Sequence, residues 1–552
     1  MKPRKDIASG LADTLRAGPF ASLLRTVGRV ADRERLDAWL VGGAVRDILL
    51  DRSVPELDFV SVGPGSGIRL AKALAKELGG RAVHVYKTYG TAAIRVPRPE
   101  IHGKSGDRKT LSLEFVGARK ESYRRESRKP VVEDGSLPDD LRRRDFTINA
   151  MAVAINPDRL GVLEDPFDGL ADLSEGVLRT PLDPGITFED DPLRMIRAAR
   201  FATRLQFRID AQALRAMKRQ AERIAIVSGE RITDELQKIV RAACPSVGFR
   251  ILFNAGLLKH ILPELAALQG VETVDGHRHK DNLFHTLQVL DNLSAMTANR
   301  SGEETCYLRW AALLHDIGKP RTKRFSSTAG WTFHGHEEVG ARMIPGVFKK
   351  RRLPSGDPVK YVQKLIRLHH RPVSLVDEEV TDSAVRRLLF EAGDDIDDLM
   401  TLVRADITSK NPKRIRRYLA AFDHVEDKMR KVEEKDRLRN FRPPVDGREI
   451  MQTLGIGESV VVGIVKETIR EAILEGDIPN EHDAAFQLMM EIKDDALRRG
   501  ALFEEFIAQL EGPEHAAIGA IKEIVFSGEL PEDRAAAWQY LTDVKNSVTG
   551  KP

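Results

Sequence analysis

Beyond about residue 173 the strand period leaves this chain and does not return, and no other feature limits its fold so tightly. "AWLVGGAVRDILL" (38–50) reads as strand, Gly-Gly turn and helix, and "LDFVSVG" (57–63) as a second strand. "GIRLAKALAKELGG" (67–80) is a helix ended by glycine, while "AVHVYKTYGTAAIRV" (82–96) and "TLSLEFVGAR" (110–119) alternate as strands do. After "DPFDGLADL" (165–173) the apolar residues take the helical period and keep it. The expected class is therefore α+β, with a small sheet domain in the first 155 or so residues and an all-helical remainder. Residues 10–37 read as a helical lead-in. The polar loop at 97–109 and "RNFRPPVDG" (439–447) interrupt the pattern, and no fixed-period repeat is present.

At 552 residues the chain is too long for one core, so several domains are expected. Lys and Arg number 87 against 83 Asp and Glu, a balance too even to point to nucleic acid by itself. Two cysteines, Cys244 and Cys306, share no metal spacing and suit a reducing cytoplasm. The basic N-terminus lacks the apolar stretch of a signal peptide, and no apolar run reaches the ~20 residues of a membrane span, so no membrane partner is expected.

Four stretches of the sheet region carry chemistry. In "GGAVRD", Gly42 and Gly43 let backbone approach a ligand, the helix start offers N–H groups to phosphate, and Arg46 and Asp47 follow. An ordinary strand–helix turn is the plain alternative. Glu56 and Asp58, two apart on a strand, aim to one face and suit a hard cation such as Mg²⁺, or else form a solvated strand end. Glu114, on another strand, offers a third carboxylate. In "RRRDFTINAMA" (142–152), Arg143 and Arg144 suit phosphate, and Asp145 and Asn149 suit ribose hydroxyls; the plain alternative is a capped helix start.

Together these stretches resemble the polymerase β-like nucleotidyltransferases, and more narrowly the bacterial class II CCA tRNA nucleotidyltransferase and poly(A) polymerase family. That family shows Gly-Gly-x-x-Arg-Asp, an Asp-x-Asp strand and Arg-Arg-Asp followed by Asn-Ala. The resemblance runs over roughly residues 35–500. One position departs: Glu56 stands where the pattern has aspartate, which moves the carboxylate oxygens by over ~1 Å, a shift large enough to matter in catalysis. A site adjusted to the longer side chain is expected.

"FEDDPLRMIRAARFATRL" (188–205) resembles the family's base-recognition motif, with Asp190 in place of its glutamate, then Asp191 and Arg194. The resemblance implies that Asp191 and Arg194 read the Watson–Crick edge of the incoming C or A without a template strand, and Arg197 lies one turn further, within reach of phosphate. Asp191 before Pro192 is equally a good helix cap. Basic stretches at 124–127 and 215–223 are expected to follow RNA or to be solvated faces.

Eight of fourteen histidines fall between 277 and 370, far more than even scatter would place there: His277, His279, His285, His315, His334, His336, His369 and His370. His285, the adjacent His315 and Asp316, and Asp406 follow the order of the HD-domain metal phosphohydrolases, and His336 and His369 fit the extra ligands of their two-metal members. The resemblance implies a divalent transition metal or Mg²⁺ and hydrolysis of phosphoesters, 2′,3′-cyclic phosphates included; imidazole and carboxylate sites accept several ions.

The expected organisation is a lead-in (1–37), a nucleotidyltransferase head (38–157), a helical neck for base recognition and RNA binding (158–270), an HD phosphohydrolase domain (271–436), a helical tail (437–500) and a helical appendage (501–552). The expected function is template-independent, cytoplasmic addition or repair of the tRNA 3′-CCA from CTP and ATP, with two Mg²⁺ held by Glu56, Asp58 and Glu114. The alternatives are an A-adding enzyme or poly(A) polymerase, or an RNA-binding HD phosphohydrolase with a weakened polymerase site. The sequence leaves the oligomeric state open.

Overall fold

The computed structural model describes residues 15, 17–86, 90–97, 110–124, 127–270, 273–274, 277–278, 281–328, 330–377, 381–408, 411–436 and 441–550. Most of the loop at 97–109, the side chains of 124–127, and those of His277 and His279 lie outside the described residues. The chain divides into two units. The first comprises residues 1–336 and 342–359, the second 337–341 and 360–552.

The first unit opens with a helix, Ala21–Arg33, and then builds one sheet. Its strands are β1 (Ala38–Val41), β2 (Glu56–Ser61), β3 (Val83–Tyr86), β4 (Thr91–Pro97) and β5 (Thr110–Gly117). A separate ribbon, β6 (Arg119–Arg124) with β7 (Ser127–Asp134), follows, and the sheet is completed by β8 (Ala152–Ala154) and β9 (Leu163–Glu164). The seven sheet strands run in the order β3-β4-β5-β2-β1-β8-β9. Only β2 and β5 are parallel, because the helix Ser66–Glu77 and the β3–β4 hairpin intervene before the chain returns beside β2.

The period-two pattern sorts the two faces. Leu57 and Phe59 pair in register with Leu113 and Phe115, all are at most 1% exposed, and the Phe59 and Phe115 rings stack at 5.0 Å. Glu56, Asp58 and Glu114 therefore point to the other face. Further along that face Val60 joins Trp39, Val41, Ala152 and Ala154 in an apolar cluster, into which the helix Leu137–Arg142 inserts Leu137 and Leu141. A capping box starts this helix: Ser136 Oγ accepts from the Asp139 N–H, and the Asp139 carboxylate accepts from the Ser136 N–H. Its last turn is thus fixed beside the carboxylates.

From Gly169 the first unit is mainly helical, as expected. The helix Leu193–Leu205 packs on Gly229–Val240 and Ser246–Asn254, and a buried ion pair from Arg200 to Glu235 joins the first two. Asn282–Met296 and Glu303–Leu314 pack as a further pair.

The second unit is helical throughout its described residues. Arg387 on the helix Asp382–Ala392 bridges Glu471 and Glu475 on Val460–Glu475, which packs along His482–Ile507. The boundary expected at 500/501 falls inside that last, unbroken helix. Residues 501–552 do not begin as a separate appendage: Trp538, on the final helix Arg534–Thr549, meets Phe506 edge-on at 4.9 Å.

Candidate active site

Within the first unit, the carboxylate face of the sheet and the helix Leu193–Leu205 enclose a cleft of about 910 Å³. Arg46, Arg143, Arg144, Arg194, Arg197 and Arg200 are among its ten cationic residues, against five carboxylates. Such a surplus in a low-dielectric cleft fits a polyanion.

Asp58 lies opposite Val41 on β1 and Glu114 on β5, with Glu56 two residues back on the same face. Burial and then the charge of Glu56 push the Asp58 carboxyl up to about 7, against the pull of Arg144 and with Glu114 adding to the rise. Burial and Glu56 raise Glu114 too. Three oxygen-donor side chains that repel one another in a part-buried site fit a divalent cation, which removes the repulsion.

Gly42 ends β1 next to these groups. Its φ is +73°, and a Cβ there would stand 2.8 Å from an Arg144 guanidinium nitrogen and 3.6 Å from an Asp58 oxygen. Only glycine permits this approach.

The arginines are held by a network. Asp140, with no exposed surface, takes Arg143 on one oxygen (Nε 3.0 Å, Nη2 2.6 Å) and Arg144 on the other (Nε 3.2 Å, Nη2 2.9 Å). Arg46 donates twice to Asp47, at 2.9 Å each, and to Asn149 Oδ1 at 2.6 Å. Asn149 donates to Asp145 Oδ1 at 2.9 Å, and Arg197 donates through Nε to Asp145 Oδ2 at 2.8 Å. Burial alone would raise the Asp145 carboxyl, but Arg197 and the hydrogen bond from Asn149 hold it well below the usual range. Arg46, Asp145 and Asn149 thus form a buried brace, and Arg197 is engaged by a carboxylate within the protein.

Asp191 stands between the helices Pro184–Asp190 and Leu193–Leu205. Its Oδ1 accepts from the Leu193 N–H at 3.2 Å, although the cap position of that helix falls on Pro192, one residue later than expected, and its Oδ2 accepts from Arg231 at 2.8 Å. Arg194 donates to the Thr187 and Arg143 carbonyls, at 3.3 and 2.5 Å. Asp191 and Arg194 are therefore each fixed by other groups, and both line the cleft.

Sequence reasoning missed Asp140, although its position three and four residues before Arg143 and Arg144 was a usable signal. It also missed Arg200, Arg204, Arg231, Lys238 and Arg241, which line the cleft, and Glu235, which anchors Arg200 and Lys238.

A second constellation lies elsewhere in the first unit. His285 Nε2, His315 Nε2 and His336 Nε2 stand 3.8, 3.4 and 3.5 Å from the Asp316 carboxylate. Atoms ligating one ion at about 2.1 Å lie about 3 to 3.5 Å apart, so the spacing of His315 and His336 from Asp316 suits a shared cation, with His285 a few tenths of an ångström further out. His315 Nδ1 and His336 Nδ1 are each 2.9 Å from a main-chain carbonyl, that of Ala312 and that of Phe333. A carbonyl only accepts, so Nδ1 carries the proton and Nε2 the lone pair, the tautomer of a metal ligand. With no ion bound, burial would raise Asp316, but the charge of a protonated His315 and of Lys319, whose ammonium lies 2.7 Å away, holds it well below the usual range; a ligated cation would take the place of the His315 Nε2 proton. Lys319 is a further residue the sequence reading passed over. In the second unit, His369 has the same tautomer lock, with Nδ1 2.6 Å from the Ile366 carbonyl, and Asp406 ends the helix Ile396–Asp406.

Comparison with known proteins agrees with this geometry. Residues 38–179 match the family model "Poly A polymerase head domain", 206–269 match "Probable RNA and SrmB- binding site of polymerase A", and 283–410 match "HD domain". The chain is 32% identical over 460 residues to the A-adding tRNA nucleotidyltransferase of Deinococcus radiodurans, across 81% of this chain and 94% of that one. It is 33% identical over 370 residues to the multifunctional CCA protein of Methylococcus capsulatus, across 65% of this chain and 79% of that one. An apo CCA-adding enzyme shares the fold, with a TM-score of 0.57 at 22% identity over 85% of this chain and 95% of the other.

Proposed function

This chain belongs to the family of tRNA nucleotidyltransferases and poly(A) polymerases, and from that premise we propose that it builds or repairs the 3′-terminal CCA of tRNA from CTP and ATP. The observation that carries this is the cleft, where Glu56 and Asp58, with Glu114 beside Asp58 on the neighbouring strand, open onto a wall of arginines.

The polymerase and HD regions belong to classes that use divalent metals. At the polymerase site we assign Mg²⁺ to Glu56, Asp58 and Glu114; when bound it supplies Lewis-acid charge at the reacting phosphate and lowers the pKa of the attacking 3′-hydroxyl. The chain's own residues do the positioning. Arg143 and Arg144, held rigid by Asp140, present guanidinium edges to the triphosphate, which pre-pays the entropy of orienting it. Gly42 lets the backbone approach, and the Arg46–Asp47–Asn149–Asp145 brace keeps that turn in place. Arg194, immobilised by two carbonyls, and Asp191 are the groups we assign to reading the base edge. A buried Arg194 and a part-buried Asp191, both oriented by other groups, reject a wrong base by leaving themselves unpaired.

We assign the residues around His315 and Asp316 to a metal-dependent phosphohydrolase that acts on phosphoesters such as 2′,3′-cyclic phosphates. Nickel, manganese, iron and magnesium are its candidate ions. The division into head (38–157), neck (158–270), HD (271–436) and a tail that begins at 437 and continues past 500 is our reading, and a cytoplasmic location suits tRNA, CTP and ATP as partners. No helix among the described residues is long and apolar enough to cross a membrane.

Incubation with tRNA lacking CCA, Mg²⁺ and each nucleotide singly and together tests the proposal. CMP incorporation followed by one AMP is expected. A second reading, an A-adding enzyme, is favoured by the name of the relative matched over 94% of its length. AMP addition only to tRNA already ending in CC would replace the first reading with it, and repeated AMP addition would point to a poly(A) polymerase.

A further inference from the structure

A smaller pocket of about 260 Å³ lies in the first unit and shares no lining residue with the large cleft. Its walls come from Ile224, Val227, Gly229 and Ile232, from His260, and from Lys350, Arg351 and Arg352 at the end of the helix His336–Arg351. Three features converge there. Arg351 is only 8% exposed, and among the described residues nothing hydrogen-bonds its Nε; the same is true of His260 Nε2. A buried guanidinium with one N–H unpaired, and only the charge of Glu264 acting on it, is unfavourable, and an anion relieves it. Next, the helix Gly229–Val240 begins at this pocket, and its cap residue Ser228 makes no side-chain cap, so the first N–H groups and the positive helix end face the same space. Lastly, the neighbouring carboxylates do not cancel the charge. Glu264 lies 3.9 Å from the Lys350 ammonium, and Glu230 lies 3.5 Å from Arg352 in an ion pair exposed to water. Those two face three cations and an imidazole.

The plain alternative is that Lys350 and Arg351 only complement the carbonyl end of their own helix. That accounts for basic residues in a last turn, but it leaves a buried guanidinium nitrogen without an acceptor. The Arg351 carbonyl is itself already taken by the Thr233 hydroxyl.

We propose that this pocket is a second oxyanion site that takes a phosphate group, supplied either as a backbone phosphodiester of RNA or as free phosphate. Its volume falls below the ~300 Å³ at which pockets begin to hold whole small molecules, so it holds a group and not a nucleotide. Gly229 lines this pocket and Arg231, two residues on, lines the large cleft, so one helix start serves both. Only the RNA source rests on the tRNA reading.

The test uses the full chain, with Arg351→Met and the more exposed Lys350→Ala as variants. Melting is followed against inorganic phosphate, with chloride at matched ionic strength. tRNA affinity is followed against salt. If the source is free phosphate, the wild-type melting temperature rises saturably and the rise shrinks in both variants. If it is RNA, the slope of log affinity against log salt falls by somewhat less than one per variant, as loss of about one phosphate contact requires. Neither change in either variant overturns the proposal. The phosphate arm needs no tRNA activity, so its outcome is separate from that of the nucleotide-incorporation assay.

Discussion

Asp140 accepts two hydrogen bonds from Arg144 on a single oxygen, at 3.2 and 2.9 Å, while its other oxygen serves Arg143. A carboxylate with no exposed surface thus sets the direction of two guanidinium groups in the cleft. Burial would raise it, but the two arginines hold it below the usual range. Asp140→Asn keeps the shape and removes the charge. Nucleotide KM is expected to rise about tenfold or more, with a loss of several kcal/mol of stability, because breaking a buried pair strands the partner charges. Steady-state kinetics with CTP and ATP, beside thermal melting, check both; an unchanged KM would remove Asp140 from the positioning role.

The Asp58 carboxyl, raised to about 7 in the fold from about 3.8, gives a signed pH dependence. Below pH 4 it is protonated in folded and unfolded chains alike. Between about 4 and 7 the folded chain keeps a proton that the unfolded chain has lost, so its contribution to stability falls with rising pH, by up to ~1.4 kcal/mol per unit. Without divalent ions the protein is expected to melt lower at pH 8 than at pH 5.5 through this group. Mg²⁺ should restore more at pH 8 than at pH 5.5, and Asp58→Asn should remove both the slope and the Mg²⁺ response.

Glu56→Asp separates an adjusted site from a weakened one. The adjusted site predicts that shortening the side chain lowers nucleotide incorporation about tenfold or more, since an ångström of misplacement is costly in catalysis. Faster incorporation by the variant would mean that the glutamate is the impairment.

Gly42→Ala places a methyl against Arg144 at a backbone angle that alanine resists. Incorporation is expected to fall about a hundredfold, with a stability loss of about 1 to 3 kcal/mol from the strained angle. Single-turnover incorporation at saturating nucleotide measures the first and denaturant unfolding the second.

His315→Ala is expected to abolish hydrolysis of a 2′,3′-cyclic phosphate and leave CMP incorporation within about twofold. Retained hydrolysis would dissociate that chemistry from the residues around Asp316.

The sheet was legible because its signals are local. Alternation put Leu57 and Phe59 on one side and Glu56 and Asp58 on the other, and the glycine pair after β1 marked the turn. The network that holds the arginines was not. Arg231 meets Asp191 from 40 residues away and Glu235 meets Arg200 from 35, partnerships that no spacing rule encodes. The boundary placed at 500/501 failed for a different reason. Gly500 stands at that boundary, yet it sits mid-helix where Val461 leaves no room for a Cβ. A glycine retained for close packing and one retained to stop a helix are the same letter.

The carbonyls that lock the rings of His315 and His336 have an effect on metal selection. Because both imidazoles are already turned toward Asp316, an ion taken up by these three side chains would demand no side-chain reorganisation. Exchange between ions would be paced by how readily each sheds its own water, and the occupant would follow supply in the cell more closely than any discrimination by the protein.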